Sequence, residues 1–165
     1  MRPLYATAVG LLPLGATGQE YRDSSMRVQR TSILGDCAHL SKECRTAQTE
    51  VKGTVADYHA KLVDRLPDDA VCKDGEYIAC YRLPSRRQGF CLYFQGLPQG
   101  TIRAQGEVRA LTSRLVALSK SENACHTRCG RAWDTNWGSA KQQGVLKLDY
   151  VTKLCVDICA RQFSG

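Results

Sequence analysis

The sequence predicts an α+β domain: an antiparallel β-sheet of about four to five strands, with two α-helices packed on one face and disulfides as staples. Three observations carry this expectation. Two stretches repeat apolar residues at helical steps. Short β-prone segments follow one another at hairpin-length spacing. Nine cysteines stand in a chain of 165 residues.

The chain opens Met1-Arg2-Pro3, runs apolar from Leu4 to Leu14 and leaves through Gly15, Ala16, Thr17 and Gly18. A basic start, a short apolar centre and a small-residue exit form the pattern of a secretory signal peptide, expected over residues 1–18. The apolar run contains Pro13 and falls short of the roughly 20 residues of a membrane span. Many cysteines behind such a leader imply a secreted, extracellular protein whose rigidity comes from disulfides. Residues 19–33 are polar and lack apolar periodicity, as in a tail or pro-segment. Arg27-Val-Gln-Arg30 is there either a basic processing site or part of a solvated tail. Residues 34–165 form a single domain.

The first helical pattern places Val51, Val55, Tyr58, Leu62 and Leu66 on one face, with Lys52, Asp57, Lys61 and Asp64 mostly opposite. Gly53 weakens the turn before it, and Thr54-Val-Ala-Asp57 offers a capping box, so the helix is expected to begin in earnest at Thr54. Leu66-Pro67 ends it. Ala70-Val-Cys72 then meets Lys73-Asp74-Gly75, a hairpin signal leading into a strand from Glu76 to Leu83. Pro84 to Gly89 is a polar loop, and Phe90 to Gln95 returns as a strand, so Cys80 and Cys91 lie on strands joined by that loop. After the break at Gly96–Gly100, a second helix carries Val108, Leu111, Leu115 and Leu118. Arg131 to Gln143, with Trp133 and Trp137, reads as a loop. Val145 to Val151 alternates, with Leu146, Leu148 and Tyr150 inward and Lys147 and Asp149 outward.

The formal charge is +7; removing residues 1–30 takes away Arg2, Arg22, Arg27 and Arg30 with Glu20 and Asp23 and leaves +5. That surplus favours acidic partners, such as anionic lipid, wall polymers or the mouth of a cation channel. It is too dispersed for nucleic acid, because no basic run or aromatic platform accompanies it. His39, His59 and His126 fit no nucleophile elbow or metalloprotease signature, and no phosphate-binding glycine loop occurs. The protein is therefore expected to act by binding, not as an enzyme, and without a cofactor or metal. Cys125-x3-Cys129 and Cys155-x3-Cys159 have the look of a four-thiolate zinc set, but an oxidising compartment favours disulfides. Arg86 and Arg87 sit at the tip of the loop between the two cysteine-bearing strands. Two guanidinium groups on a stapled loop suit an acidic pore or phosphate surface, with an ordinary solvated hairpin tip as the alternative. Trp133 and Trp137 are either a contact patch or partly core.

The cysteine segments resemble a family of secreted killer toxins founded on the virus-encoded killer protein 4 of smut fungi. The resemblance spans roughly residues 34–159. It rests on Leu34-Gly-Asp-Cys37 followed by Cys44, on Asp74-Gly-Glu-Tyr-Ile-Ala-Cys80 and on Gly89-Phe-Cys91-Leu-Tyr-Phe-Gln95. Ala124-Cys125-His-Thr-Arg-Cys129-Gly130 and Gly144-Val-Leu-Lys-Leu-Asp-Tyr150 complete the set. It implies one antiparallel sheet covered by two helices, and a fungal effector that inhibits competing fungi or plant cells by interfering with calcium channels. The target implied is a membrane protein or other cell-surface molecule of the competitor or host, met by a monomer. A non-toxic plant-facing effector that binds a host receptor or wall polymer is the alternative. The chain departs from the family in its C-x3-C spacing at Cys155 and Cys159, in its odd cysteine count, and at Gly89, where the toxin carries an exposed lysine. The nearest bases are Arg86 and Arg87.

The expected bridges are Cys37–Cys125 and Cys44–Cys129, each closing a long loop worth roughly 4 kcal/mol in the chain-entropy model. Cys80 is expected to pair with Cys91, and Cys72 with Cys155 or Cys159, which leaves one of the nine unpaired. That one is a free thiol, an intermolecular link or a remnant.

Overall fold

The computed structural model describes residues 32–46, 54–121, 129–155 and 157–160. The expected signal peptide, most of the polar tail, Cys125 and His126 lie outside them. Eight strands occur among the described residues: β1 (Ile33–Asp36), β2 (Val71–Cys72), β3 (Tyr77–Arg82), β4 (Gly89–Gln95), β5 (Arg103–Ala104), β6 (Gly130–Asp134), β7 (Val145–Val151) and β8 (Asp157–Ile158). Four helices accompany them: α1 (Glu43–Thr46), α2 (Val55–Asp64), α3 (Gln105–Lys120) and α4 (Ala140–Gln143), with a 3-10 turn at Thr135–Trp137. Six strands form one antiparallel sheet in the order β1-β6-β7-β4-β3-β8, and β2 pairs with β5 alone. The fold is the expected α+β arrangement, with six strands in the main sheet against the four to five expected from the sequence.

Both long helices begin where local chemistry tells them to. Thr54 caps α2, its Oγ1 accepting the Asp57 N–H at 3.1 Å. In α3 the Glu107 carboxylate accepts the Ala104 N–H at 2.8 Å. Val55, Leu62 and Val63 from α2 and Val108, Leu111 and Leu115 from α3 are buried against Phe90, Leu92, Phe94, Leu146 and Leu148 of the sheet. This is the main body of the core, between the two long helices and one face of the sheet.

His59 is buried within it, with Nδ1 2.8 Å from the Val55 carbonyl oxygen and Nε2 3.1 Å from that of Phe90. The role is structural, holding α2 to β4. Burial pushes its pKa down to about 4. An unfolded chain takes up that proton near pH 6.5, whereas the folded one resists until about pH 4. Stability is therefore unaffected above pH 6.5 and falls as the pH drops from 6.5 to 4, by about 3 kcal/mol from this group. Denaturant titrations at neutral pH and near pH 4 are expected to show a smaller acid loss in His59→Gln than in the parent.

Three disulfides are described. Cys44–Cys129 spans a sequence separation of 85, which the chain-entropy model values at about 4–5 kcal/mol. Cys80–Cys91 crosses between β3 and β4, as expected. Cys37 is also disulfide-bonded, but its expected partner Cys125 lies outside the described residues. The pairing expected for Cys72 is corrected: Cys155 bonds to Cys159, and Cys72 is a free thiol buried in the core. Burial, with smaller contributions from Glu76 and Glu107, pushes the Cys72 pKa up to about 12, so it remains a protonated, inert thiol. Cys155 is held instead over Cys80, with the two sulfurs 3.2 Å apart, which places the β8 edge and its cysteines beside β3.

Two local expectations are also overturned. Asp74-Gly75 does not close a hairpin. The Asp74 carboxylate accepts the Leu97 N–H and the Gly75 N–H donates to the Phe94 carbonyl, both at 2.9 Å, while β2 turns to β5. A tertiary partner thus wins over the local turn signal. Residues 131–143 are not a loop but β6, the 3-10 turn and α4. Arg131 tolerates a central strand because Asp36 on β1 faces it in register.

Candidate binding site

The β3–β4 connection is a short, anchored loop. The Leu83 N–H donates to the Gln88 carbonyl at 3.0 Å and the Arg86 N–H to the Leu83 carbonyl at 3.2 Å, and the Leu83 side chain is buried. Arg82 Nε donates to the Arg86 carbonyl at 3.3 Å. At the far end of the loop the Tyr150 hydroxyl donates to Gln88 Oε1. The Cys80–Cys91 bridge, with Cα atoms 4.1 Å apart, clamps the strands at its base. The loop therefore presents Arg86 and Arg87, both exposed, from a fixed frame.

Arg86 lines a cleft of about 600 Å³ together with Gln88, Tyr77, Tyr150, Lys153 and Glu43. Lys153 adds a second cation at the rim, which residue spacing along the sequence did not reveal. Glu43 is the acid among these residues. The Ser41 hydroxyl donates to its carboxylate and holds it below the usual range, so it remains charged. A cleft walled by two tyrosines with a guanidinium and an ammonium at its mouth suits an anionic group presented on a surface.

The opposite wall comes from the segment between β1 and α1, and its attachment is the feature most at odds with the sequence reading. Lys147 and Asp149 do point away from the helices, yet they are only 7% and 3% exposed. Lys147 Nζ lies 2.8 Å from Asp149 Oδ2. The Asp149 carboxylate also accepts the Ser41 N–H at 2.9 Å, and the Cys44–Cys129 bridge covers it, with Cys44 Sγ 2.9 Å from Oδ1. The segment of residues 37–46, which ends in α1, is thus strapped across the sheet face opposite α2 and α3 by the Ser41–Asp149 hydrogen bond and one disulfide. Two opposite charges two apart on the outward face of a strand were the available signal; the cover over them was not legible. Tyr93, opposite Lys147 on β4, has its pKa pushed up to about 12 by burial and by the Asp149 charge.

Gly89 marks the first residue of β4. A Cβ built there would lie 2.0 Å from the Tyr81 carbonyl oxygen and 3.0 Å from the Arg82 Cα. The β3–β4 pair therefore leaves no room for a side chain at this position. Trp133 lies on β6 and Trp137 in the 3-10 turn, where the Arg103 guanidinium stacks 3.6 Å from the ring centroid. Among the described residues, no helix is long and apolar enough to cross a membrane. No family model and no curated protein matches the chain.

Proposed function

We propose that this protein is a secreted, toxin-like effector of a fungus that acts by binding, and that its binding element is the β3–β4 loop with Arg86 and Arg87. The observation that carries the reading is Arg86 at the mouth of the tyrosine-walled cleft, fixed by backbone hydrogen bonds and backed by Lys153. A pre-ordered pair of cations loses little conformational freedom on meeting an acidic partner. The acidic mouth of a calcium channel on a competing fungus or plant cell is such a partner, and calcium ions compete for the same carboxylates. The oxidised protein is expected to slow growth of fungal cells or plant roots in a way that millimolar calcium relieves. The double variant Arg86→Ala/Arg87→Ala is expected to need about tenfold more protein for the same effect, the loss of roughly one charge-assisted contact. Growth inhibition that is unchanged by both calcium and the double variant would sink this reading.

A second reading is favoured by Gly89. With no room for a side chain at the position of the toxin's lysine, the fold also suits a plant-facing effector that binds a host receptor or a wall polymer. Secretion belongs to both readings and is supported by the disulfides, which persist in oxidising compartments.

A further inference from the structure

The sheet face opposite α2 and α3 carries a second cleft, on the other side of the strapped segment from Arg86. It measures about 690 Å³ and is bordered by Trp133, Arg131, Lys141, Gln95, Asp36 and His39. Its floor is built. Arg131 and Asp36 face each other across β1 and β6 and form a two-point ion pair, Nε to Oδ1 and Nη2 to Oδ2, the latter 2.9 Å. The guanidinium holds the Asp36 carboxyl below its usual range, and the Arg131 side chain is largely buried. That pairing fixes the guanidinium plane while leaving part of its N–H fork unspent. The same guanidinium lies 5.7 Å from the centroid of the Trp133 ring. Leu34, 45% exposed, faces Trp133 in register on the neighbouring strand and extends the apolar strip.

We propose that this cleft binds an acidic oligosaccharide, of the uronic-acid class, with the Trp133 indole stacked on a sugar ring and Lys141 and Arg131 meeting its carboxylate. The lining selects this class in three ways. An indole face beside an apolar strip suits a ring with one apolar face. Gln95, exposed, and Asp36, partly exposed, offer an amide and a carboxylate acceptor to ring hydroxyls, which a ligand without hydroxyl donors leaves unused. The two bases favour an anion, but Asp36 among them repels densely charged chains such as phosphate polymers or acidic peptides. One carboxylate per ring matches that balance. The inference deepens the wall-polymer reading and is independent of toxicity and of the Arg86 cleft.

The test is calorimetric and NMR titration of the full oxidised protein with tetragalacturonate, neutral cellotetraose and an acidic peptide of poly-glutamate. Tetragalacturonate is expected to bind, to shift the Trp133 indole N–H resonance and to be preferred over both others. Trp133→Ala and Lys141→Ala are expected to weaken it by about tenfold or more, the first through the lost ring stacking and the second through one lost charge-assisted contact. Lys141 is exposed on α4, so its variant keeps the fold even where Trp133→Ala does not. Lys61→Ala removes one exposed charge from α2, away from the cleft, and is expected to bind normally. No binding of tetragalacturonate, equal binding of cellotetraose or the peptide, or equal weakening by Lys61→Ala and Lys141→Ala would each overturn the proposal. The growth assay above reads none of these residues, so failure of the toxin reading and failure of this one are separable.

Discussion

Replacing Asp149 with alanine is expected to lower the unfolding free energy by about 3–5 kcal/mol, the usual cost of stranding one member of a buried ion pair. Lys147 would be left with its side chain only 9% exposed and without its carboxylate partner. The Ser41 N–H would lose its acceptor at the same stroke. Replacing both partners by apolar residues, as in Lys147→Met/Asp149→Leu, is expected to cost clearly less, because no uncompensated charge remains. Urea midpoints for the two single variants and the double variant check this directly. Equal losses in Asp149→Ala and the double variant would mean that the charge pair contributes nothing beyond its packing.

The consequence reaches function through the strap. Asp36 and His39 border one cleft, Ser41 and Glu43 the other. Loosening residues 37–46 from Asp149 should therefore blur both clefts while the helix-covered core stays intact. The Cys44–Cys129 bridge limits how far the segment can move.

The second large effect is expected at Gly89. Gly89→Ala and Gly89→Lys share the same Cβ, which meets the Tyr81 carbonyl oxygen at 2.0 Å. The obstacle is backbone in the neighbouring strand, so no rotamer relieves it, and β4 must separate from β3 at Gly89–Arg82. Overpacking of this kind costs about 3 kcal/mol or more when backbone has to shift. Placing a lysine at Gly89 is therefore expected to lower the denaturation midpoint and give no gain in growth inhibition. Arg86→Lys places an ammonium on the exposed loop and is expected to leave the midpoint unchanged. A stable, more potent Gly89→Lys variant would contradict the geometry of the β3–β4 pair.

Much of the fold was legible because its determinants are local. Thr54 and Asp57 cap α2 within four consecutive residues, and the apolar spacing of Val108, Leu111 and Leu115 faces α3 to the core. Cys80 and Cys91 flank a connection short enough that their strands had to be neighbours. Arg86 and Arg87 were placed at an exposed loop tip for the same reason. The Asp74-Gly75 signal, equally local, failed because Leu97 and Phe94 compete for the groups of that turn. β6 was missed because Arg131 looks like a surface residue until Asp36, 95 positions away, is beside it.

By itself, then, the sequence determined the class of fold, the helices with their buried faces, the central strands and the dependence on disulfides. These follow from periodicity, capping and cysteine content, which neighbouring residues carry among themselves. Only the tertiary structure decided that Cys72 stays unpaired, that Gly89 admits no side chain, and that Lys147 and Asp149 are buried. It also decided which charges border a cleft. Each of those depends on a partner from a distant part of the chain, and a charge alternating outward on a strand is exposed or buried according to what folds across it.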